Sequence, residues 1–301
     1  MDMMNRIKQL KEEKNAVILA HYYVDADVQA AADFIGDSFY LAKKAAETDA
    51  DKIVFAGVEF MGESAKILNP NKHVYMPDAH ADCPMAHMVT IEKIKEMREK
   101  YDDLAVVCYI NSTAEIKTYS DVCVTSSNAV KIVNKLPNKN IFFIPDQNLG
   151  SYVATQVKDK NIILNSGFCP RHHIMIKEDV LNAKKEHPNA LVAVHPECKP
   201  EVLEKADYIG STSGIIDYIV GNDAKEFIVG TVDGVYATIL NQAPDKKLYN
   251  VVRTQVCPNM KLNSLEKIVH VLETGENEVF LDEEFMNKAK APLERMLELA
   301  K

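Results

Sequence analysis

The amino-acid sequence predicts an α/β protein built from three homologous αβα three-layer units, each with a parallel sheet. Two observations lead to this fold class. One residue pattern recurs three times along the chain with nearly constant spacing, which is typical of a repeated structural unit. Within each repeat, short apolar runs alternate with segments of helical periodicity. Alternating strands and helices form parallel sheets with right-handed crossovers.

The repeat is clearest in a six-residue segment that begins with aspartate. The segments that start at Asp33, Asp121 and Asp207 resemble one another, and their first residues are 88 and then 86 positions apart. Three further sets of residues follow nearly the same spacing. They are His21, Tyr109 and His195 at the ends of apolar runs, Val54, Phe142 and Ile228 within such runs, and Cys83, Cys169 and Cys257, each followed by proline. Four sets in one order indicate a triplication.

The three units are expected to cover residues 1–85, 86–171 and 172–258. Residues 259–301 are expected to form two helices, near 264–274 and 282–300, that pack back on the first unit. No linker rich in proline and glycine separates the units, so we expect a close, pseudo-threefold arrangement around a central active site. Each unit is predicted to have three strands. They are 17–20, 53–56, 74–76, 104–109, 141–144, 162–164, 191–194, 227–229 and 251–252.

Composition and charge restrict the classes of partner. The 301 residues carry 35 Lys and Arg against 44 Asp and Glu, a formal net charge of −9. Nucleic-acid binding depends on neutralising phosphates, so a nucleic-acid partner is not expected. No apolar run approaches the ~20 residues of a membrane-spanning helix, so no membrane partner is expected either. The N-terminus lacks the apolar segment of a secretory signal, which predicts a cytoplasmic protein.

Residues that can carry acid–base chemistry follow the first predicted strand of each unit. They are the segments 21–23 (His-Tyr-Tyr), 109–111 (Tyr-Ile-Asn) and 195–197 (His-Pro-Glu). Ligands of parallel sheets bind beyond the carboxyl ends of the strands, so three facing units would bring these side chains into one cavity. Histidine and glutamate there can act as general acids and bases. A single histidine or tyrosine could equally be a hydrogen-bonded wall residue.

Hydroxyl residues occupy matched positions in the three repeats. Ser38, Ser126 and Thr212 are each predicted at the start of a helix, where free N–H groups and the helix dipole favour anions. The alternative is that each one only caps its helix, which is the commonest role of serine and threonine at such places. Three copies around one cavity would let an acidic protein bind an anionic ligand.

The three Cys-Pro cysteines, Cys83, Cys169 and Cys257, could meet at one metal centre. Six inert, buried thiols are the plain alternative, and a catalytic zinc with three thiolates is another. The widely spaced single cysteines favour a [4Fe–4S] cluster with three protein thiolates, which leaves one iron open. Such an iron could act as a Lewis acid in a dehydration. Cys108 and Cys123 are expected to pack in the second unit, and His172, His173 and Arg171 could line the cavity.

Several stretches together resemble the quinolinate synthase family, the A proteins of bacterial and archaeal NAD biosynthesis. The resemblance extends from about residue 17 to 261. It lies in residues 19–23, 36–38, 83–85, 109–112, 125–128, 145–150, 195–198, 210–212 and 257–260. It implies a triangular three-domain fold with a [4Fe–4S] cluster at its centre. It also implies a transferase that condenses iminoaspartate with dihydroxyacetone phosphate to quinolinate, phosphate and water, supplied by an iminoaspartate-producing enzyme.

The resemblance also implies roles for single residues. The cysteines 83, 169 and 257 would hold the cluster, and Tyr23, His195 and Glu197 would be catalytic. The implied substrate-binding residues are His21, Ser38, Tyr109, Ile110, Asn111, Ser126, His195, Pro196, Glu197 and Thr212. Some family members carry further cysteines after the last ligand, but Pro258, Asn259 and Met260 stand there in this chain.

Two other functions stay open on the sequence alone. One is a non-enzymatic iron–sulfur sensor, which would explain the three cysteines but not the histidine, tyrosine and glutamate residues. The other is a zinc-dependent hydrolase. The metal content and the absorption spectrum of the protein would distinguish these functions.

Overall fold

The computed structural model describes residues 2–301, which form three four-stranded sheets with helices around them. Every strand pair within these sheets is parallel. In each sheet, the first strand in sequence lies between the second and the third, and the fourth lies beyond the third. One topology therefore occurs three times, and the predicted α/β fold of three similar units is confirmed.

The strands of the three sheets follow one another along the chain without exchange between sheets. The first sheet contains β1 (Ala16–His21), β2 (Phe34–Gly36), β3 (Lys52–Ala56) and β4 (His73–Tyr75). The second contains β5 (Leu104–Tyr109), β6 (Val122–Val124), β7 (Asn140–Ile144) and β8 (Asn161–Leu164). The third contains β9 (Leu191–Val194), β10 (Tyr208–Ile209), β11 (Glu226–Gly230) and β12 (Lys247–Asn250).

Helices connect these strands and close the chain. The first unit contributes α1 (Met3–Lys14), α2 (Ala26–Ala31), α3 (Ser38–Glu47) and α4 (Glu59–Leu68). Next come α5 (Ile91–Lys100), α6 (Ala114–Lys117), α7 (Ala129–Lys135), α8 (Gln147–Gln156) and α9 (Pro170–His173). The third unit has α10 (Lys177–Glu186), α11 (Pro200–Leu203), α12 (Thr212–Gly221) and α13 (Val235–Gln242), and the chain ends with α14 (Leu265–Thr274) and α15 (Glu283–Leu299). No helix within residues 2–301 is long and apolar enough to cross a membrane.

The number of strands per unit differs from the prediction. Each sheet has four strands and not three, because β2, β6 and β10 add a short strand beside the first one. These strands are two or three residues long, too short to show a period of two in the sequence. The strand predicted at 251–252 is also wrong. The structure has β12 at Lys247–Asn250, an edge strand with exposed ends whose mixed polar sequence hides it.

One aspartate in each unit ties the first strand to the segment before the second. Each Oδ2 accepts a hydrogen bond from a strand N–H, and each aspartate N–H donates to the carbonyl of the same strand residue. The pairs are Asp33 with Ile18, Asp121 with Val106, and Asp207 with Val192, with N–H to Oδ2 distances of 2.8, 2.7 and 2.8 Å. The sequence repeat at these aspartates therefore marks one pair of hydrogen bonds that occurs three times, and we call each pair an aspartate corner.

One lysine in each unit ties the opposite edge of its sheet, where the third and fourth strands begin. Each of these lysines stands directly before the fourth strand of its sheet, and they are Lys72, Lys160 and Lys246. The Nζ of each one donates to a backbone carbonyl of an earlier loop. The carbonyls belong to Thr48, Leu136 and Asn222 respectively. The three lysines are 88 and then 86 positions apart, and so are the three residues whose carbonyls they contact. This lysine is a second repeated contact that joins loops at the amino ends of the strands.

The two C-terminal helices close different parts of the molecule. Helix α14 packs on α1, whereas α15 lies against α4 of the first unit and also against α6 and β6 of the second. Lys131 and Lys135 of α7 donate to the last carbonyls of α15, those of Ala300 and Leu299. The expectation placed both helices on the first unit, but α15 bridges two units. The boundaries at residues 85, 171 and 258 stay a prediction.

The aspartate corners provide a stability test. Replacing Asp207 with alanine should lower the free energy of unfolding by about 1–3 kcal/mol, because the buried N–H of Val192 loses its acceptor. Urea denaturation measures the change. Asp245→Ala is the control, since Asp245 only pairs with Lys225 at the exposed surface. Equal midpoints for the two variants would show that the corner hydrogen bond does not stabilise the fold.

Candidate active site

A cavity lies between the three sheets, with about 850 Å³ of empty space in and around it. All three units contribute to its wall, chiefly through residues at the carboxyl ends of strands and through the three Cys-Pro segments. Most of the residues selected from the sequence line it. They are His21, Tyr23, Ser38, Cys83, Tyr109, Asn111, Ser126, Cys169, His195, Glu197, Thr212 and Cys257.

Two of the selected residues do not line the cavity. Ile110 is buried in the hydrophobic core, and its N–H donates to the carbonyl of Val124. Pro196 is buried between His195 and Glu197. In a segment that leaves a strand, alternate side chains point to opposite sides. The middle residues of 109–111 and 195–197 are therefore turned away when the outer ones face the cavity.

The helix N-termini at the cavity are capped by residues other than the selected hydroxyls. Asp37 caps α3 by accepting from the N–H of Tyr40, and Ser211 caps α12 by accepting from the N–H of Gly214. Ser38 and Thr212 stand one position later and line the cavity. Ser126 lies in the turn before α7, and its Oγ is 3.2 Å from Nε2 of His195. The hydroxyls of Ser38, Ser126 and Thr212 are therefore free of a capping role.

His21 and His195 are repeat-related and take the same local geometry. Nδ1 of His21 accepts from the N–H of Tyr23 at 3.2 Å, and Nδ1 of His195 accepts from the N–H of Glu197 at 3.3 Å. This assigns the proton of each neutral ring to Nε2. Burial lowers the pKa of His21 to about 4 and that of His195 to about 3, although nearby carboxylates oppose the shift. Both rings are therefore neutral near pH 7, and each carries an N–H at Nε2; that of His195 is directed to Oγ of Ser126.

Glu197 is a buried carboxylate, with only 3% of its surface exposed. Its Oε2 lies 2.8 Å from Nδ1 of His172, and Oε1 has no hydrogen-bond partner within residues 2–301. Burial opposes ionisation, but the interaction with His172 outweighs it and lowers the pKa of Glu197. Asn111 Oδ1 is likewise buried and unpartnered. Two acceptors at the cavity wall are thus free for a ligand.

A continuous chain of hydrogen bonds connects Tyr23 to Glu197. The Tyr23 hydroxyl is 2.7 Å from Oγ1 of Thr231 and 2.9 Å from Oγ1 of Thr212. Thr231 Oγ1 is 3.0 Å from Nε2 of His172, whose Nδ1 reaches Glu197. If His172 donates from Nδ1 to the carboxylate, its Nε2 accepts from Thr231, and Thr231 accepts from Tyr23. The order of donors and acceptors allows a proton to move along the chain.

The three Cys-Pro cysteines line the same cavity and are half-buried free thiols. Burial raises the pKa of each of these thiols, and the charge of Glu197 adds to the rise. A neighbouring Cys-Pro thiol adds further for Cys83 and Cys169. Each proline begins a short turn of helix after its cysteine in the first two units. A second group shares Cys169 and adds His172 and Glu197. Its ligand atoms lie within 4.8 Å of one another, and it could hold a single metal ion.

The remaining cysteines lie in the core. Cys108 and Cys123 are paired neighbours on β5 and β6 and are fully buried. Cys198 is also fully buried, and its Sγ is 3.4 Å from the carbonyl oxygen of Gly230. Packing among strands explains these three thiols, as expected for Cys108 and Cys123.

Sequence reasoning missed Thr231 and gave His172 no definite role. Thr231 directly follows β11, and His172 stands three residues after Cys169, on α9. Position at the carboxyl end of a strand was the available signal for Thr231. His172 was noted only as a residue that could line the cavity, because a histidine near a ligand cysteine has many possible roles. Their connection to Tyr23 and Glu197 crosses three segments of chain and is visible only in the fold.

Fold and site together define a class of protein, a triplicated parallel α/β protein whose units share one buried centre of thiols and acid–base groups. A sequence model of the family described as quinolinate synthetase A protein matches residues 5–298. The chain belongs to this family.

Three similar proteins carry the name quinolinate synthase. The protein of Fusobacterium nucleatum is 60% identical over 298 residues, which cover 99% of both chains. The protein of Caldicellulosiruptor bescii is 52% identical over 297 residues, covering 99% of this chain and 98% of the relative. The protein of Methanosarcina barkeri is 49% identical over 296 residues, covering 98% and 97%. Bacterial and archaeal proteins thus match this chain over nearly its whole length.

The neutral His21 ring predicts a pH dependence of stability. Because its folded pKa lies below the unfolded value of 6.5, the unfolded chain binds a proton first, and stability falls as the pH drops from about 6.5 towards 4. Between pH 7 and 5 the wild type should lose about 2 kcal/mol more than His21→Asn. Asparagine can still accept from the N–H of Tyr23. Urea denaturation at both pH values measures this, and equal losses would contradict a neutral His21.

Proposed function

We propose that this protein is a quinolinate synthase that condenses iminoaspartate with dihydroxyacetone phosphate into quinolinate, phosphate and water. The observation that carries the proposal is one cavity that combines three thiols from three units with the chain from Tyr23 to Glu197. Membership of the family supports it. The reaction requires proton transfers, loss of phosphate and dehydration, and needs both anion binding and acid–base groups.

The residues that would hold a [4Fe–4S] cluster are Cys83, Cys169 and Cys257. The donor set fits such a group, because each unit supplies one thiol to a shared cavity and three thiolates suffice to anchor four irons with one position open. Burial raises the pKa of these thiols, so the positive charge of iron would be needed to ionise them. When bound, the cluster would supply a Lewis-acidic iron for the dehydration.

The protein's own groups would move the protons. Tyr23 can take a proton from the substrate as it gives its own to Thr231, while Thr231 passes one to Nε2 of His172, and the imidazolium that forms stays beside the Glu197 carboxylate. Burial raises the pKa of Tyr23 well above its usual value, so the neutral phenol is the resting form and a proton donor. The reverse transfer restores it. His195, with its proton on Nε2, can donate to an oxygen of the substrate.

Anionic groups of the substrates would bind at the helix N-termini. Ser38 and Thr212 lie at the first turn of α3 and α12, where helix N–H groups favour carboxylate or phosphate. The Ser38 hydroxyl can donate as well, whereas the Thr212 hydroxyl is engaged with that of Tyr23. The Nε2–H of His195 can donate to Oγ of Ser126, and the Ser126 hydroxyl would in turn donate to an anionic group. His21, Tyr109 and Asn111 complete this proposed set, and Glu197 serves both binding and catalysis. Ile110 and Pro196 would contribute through the backbone only, since their side chains are buried elsewhere.

A single metal ion at Cys169, His172 and Glu197 would instead favour the zinc-dependent hydrolase. The same three residues are already engaged with one another, since Nδ1 of His172 is 2.8 Å from Glu197 and 3.2 Å from Sγ of Cys169. An ion there would break the connection from Tyr23 to Glu197 and leave Cys83 and Cys257 unused. The cluster therefore accounts for more of the cavity than the single ion.

One experiment separates these functions. Anaerobically purified protein is analysed for iron, sulfide and zinc, its absorption spectrum is recorded, and quinolinate formation from freshly generated iminoaspartate and dihydroxyacetone phosphate is measured. Iron and sulfide in equal amounts with quinolinate formation would support the proposal. Zinc without sulfide would favour the hydrolase, and a cluster without quinolinate formation would favour the sensor.

The free cysteines support a reducing, cytoplasmic location. Iminoaspartate is an imine that hydrolyses in water, so an enzyme that produces it should act close by. The proposed units at residues 1–85, 86–171 and 172–258 would each contribute one cluster ligand and one strand-end segment.

Cysteine substitutions test the cluster ligands. Cys169→Ala should lose most of the bound iron and sulfide, because two thiolates anchor the cluster poorly. Cys123→Ala is the matched control, since Cys123 is buried on β6 away from the cavity, and it should keep wild-type iron content. Unchanged iron and sulfide in Cys169→Ala would contradict the assignment.

Two substitutions test the proton chain. Tyr23→Phe removes the proposed acid and should lower kcat about 10²-fold or more with normal cluster content. Thr231→Val keeps the shape of the side chain but breaks the path to His172, and it should lower kcat in the same direction. Tyr236→Phe is the control, because the Tyr236 hydroxyl donates to Asn250, outside the chain from Tyr23 to Glu197. Wild-type kcat in both Tyr23→Phe and Thr231→Val would rule the chain out.

A further inference from the structure

Lys117 is a fully buried lysine that the proposed chemistry does not use. It ends helix α6, its Nζ donates to the carbonyl oxygen of Ser112, and it lies 5.6 Å from the centre of the Phe60 ring. It forms no salt bridge with any residue from 2 to 301. The carboxyl group of Glu63 accepts from the N–H of Ala114 on the same helix at 2.8 Å. The charge of Lys117 opposes the rise that burial causes in the pKa of Glu63, but the two groups do not form an ion pair. Burying a lysine without a directly paired carboxylate is costly, so a use for the charge is expected.

The position of Lys117 places its charge directly behind the cavity wall. Phe60 and Asn111 both line the cavity, and Ser112 follows Asn111 in the chain. The Ser112 hydroxyl donates to the carbonyl of Tyr109 at 3.0 Å. Lys117 therefore contacts the segment 109–112 at Ser112 and does not itself line the cavity. A charge behind a wall in a low-dielectric interior acts on a ligand without touching it.

The repeat shows that the loop itself does not need this charge. The position that matches Lys117 in the first unit is Gln29, 88 residues earlier, and Val24 matches Ser112. Nε2 of Gln29 donates to the carbonyl of Val24 at 3.1 Å. In the third unit the matching residue is Leu203. An uncharged amide thus makes the same loop contact, and an apolar side chain is also tolerated, so the positive charge is specific to the second unit.

The cavity has a shortage of positive charge for anionic substrates. Its wall contains the carboxyl groups of Asp37, Asp82 and Glu197 as well as three thiols, and Arg171 is the cationic side chain that lines it. Helix N-termini supply partial charges only. A full charge behind the segment 109–112 would offset part of this negative potential.

We propose that Lys117 is a positioning residue that provides a buried positive charge for the binding of a dianionic, dicarboxylate ligand beside Tyr109 and Asn111. This inference rests on the proposed function, because it assumes that the cavity binds dicarboxylates. The charge of Lys117 would attract the ligand across Ser112 and the cavity wall, without a contact between the lysine and the ligand.

The test uses Lys117→Gln, which copies the contact that Gln29 makes in the first unit and removes the charge. Full-length protein with its cluster is titrated anaerobically in a calorimeter with pyridine-2,3-dicarboxylate and, separately, with pyridine-2-carboxylate. The dissociation constant of the dicarboxylate should rise about tenfold and that of the monocarboxylate only about threefold, since the Coulomb energy scales with the charge of the ligand. A purely structural role would weaken both ligands alike.

Lys246→Gln is the matched control. Lys246 is also buried, donates to the carbonyls of Asn222 and Ala224, and lies 5.6 Å from the Phe227 ring centre. It precedes β12 at the end of the third sheet away from the cavity. Its substitution should lower the melting temperature but leave both dissociation constants unchanged. Lys117→Met, uncharged and of similar length, is the second variant should the glutamine variant not fold.

The outcomes are distinct. Charge-dependent weakening in Lys117→Gln or Lys117→Met, with normal iron content, supports the proposal. Wild-type affinity for the dicarboxylate in a folded variant, or equal weakening of both ligands, overturns it while the proposed function stands. If the wild-type protein does not bind pyridine-2,3-dicarboxylate at all, the proposed function fails, and the inference fails with it.

Discussion

The parallel direction of the strands is the constraint on which the site depends. The first strand of each sheet continues from its carboxyl end into a loop that reaches the shared cavity. These strands are β1, β5 and β9. An antiparallel sheet would send alternate loops to opposite ends, and three units could not then present equivalent loops to one centre. The aspartate corners and the lysines before the fourth strands tie the two edges of each sheet near the amino ends of its strands. These repeated contacts fix the relative positions of the strands whose carboxyl ends carry the site.

Repetition of the fold did not produce three equal sites. The segments at the ends of the first strands differ between the units. They are His-Tyr-Tyr at 21–23, Tyr-Ile-Asn at 109–111 and His-Pro-Glu at 195–197. Glu197 alone provides a buried carboxylate among them, and His172 makes its burial tolerable through a hydrogen bond at 2.8 Å. The neutral rings of His21 and His195 avoid further buried charge. The chemistry of the cavity thus comes from the differences between units that share one backbone.

Much of the site could be predicted because the repeat marks it. Equal spacing singled out the three Cys-Pro cysteines and the residues that end the first strands, and the structure brings both sets to one cavity. The pattern could not distinguish Ile110 and Pro196 from their neighbours, because facing the cavity depends on the twist of each loop. It also could not reveal Thr231, which has no counterpart hydroxyl in the other units: Gly57 and Pro145 stand at the matching positions.

The sequence by itself determined the fold class, the triplication and the residue types at the centre, since these follow from local periodicity and from spacing along the chain. Only the tertiary structure decided which atoms meet. The path from Tyr23 through Thr231 and His172 to Glu197 joins residues up to 208 positions apart. The short strands β2, β6 and β10 and the bridging position of α15 were decided there too, because a strand of two or three residues and the face on which a helix docks depend on neighbours that are distant in sequence.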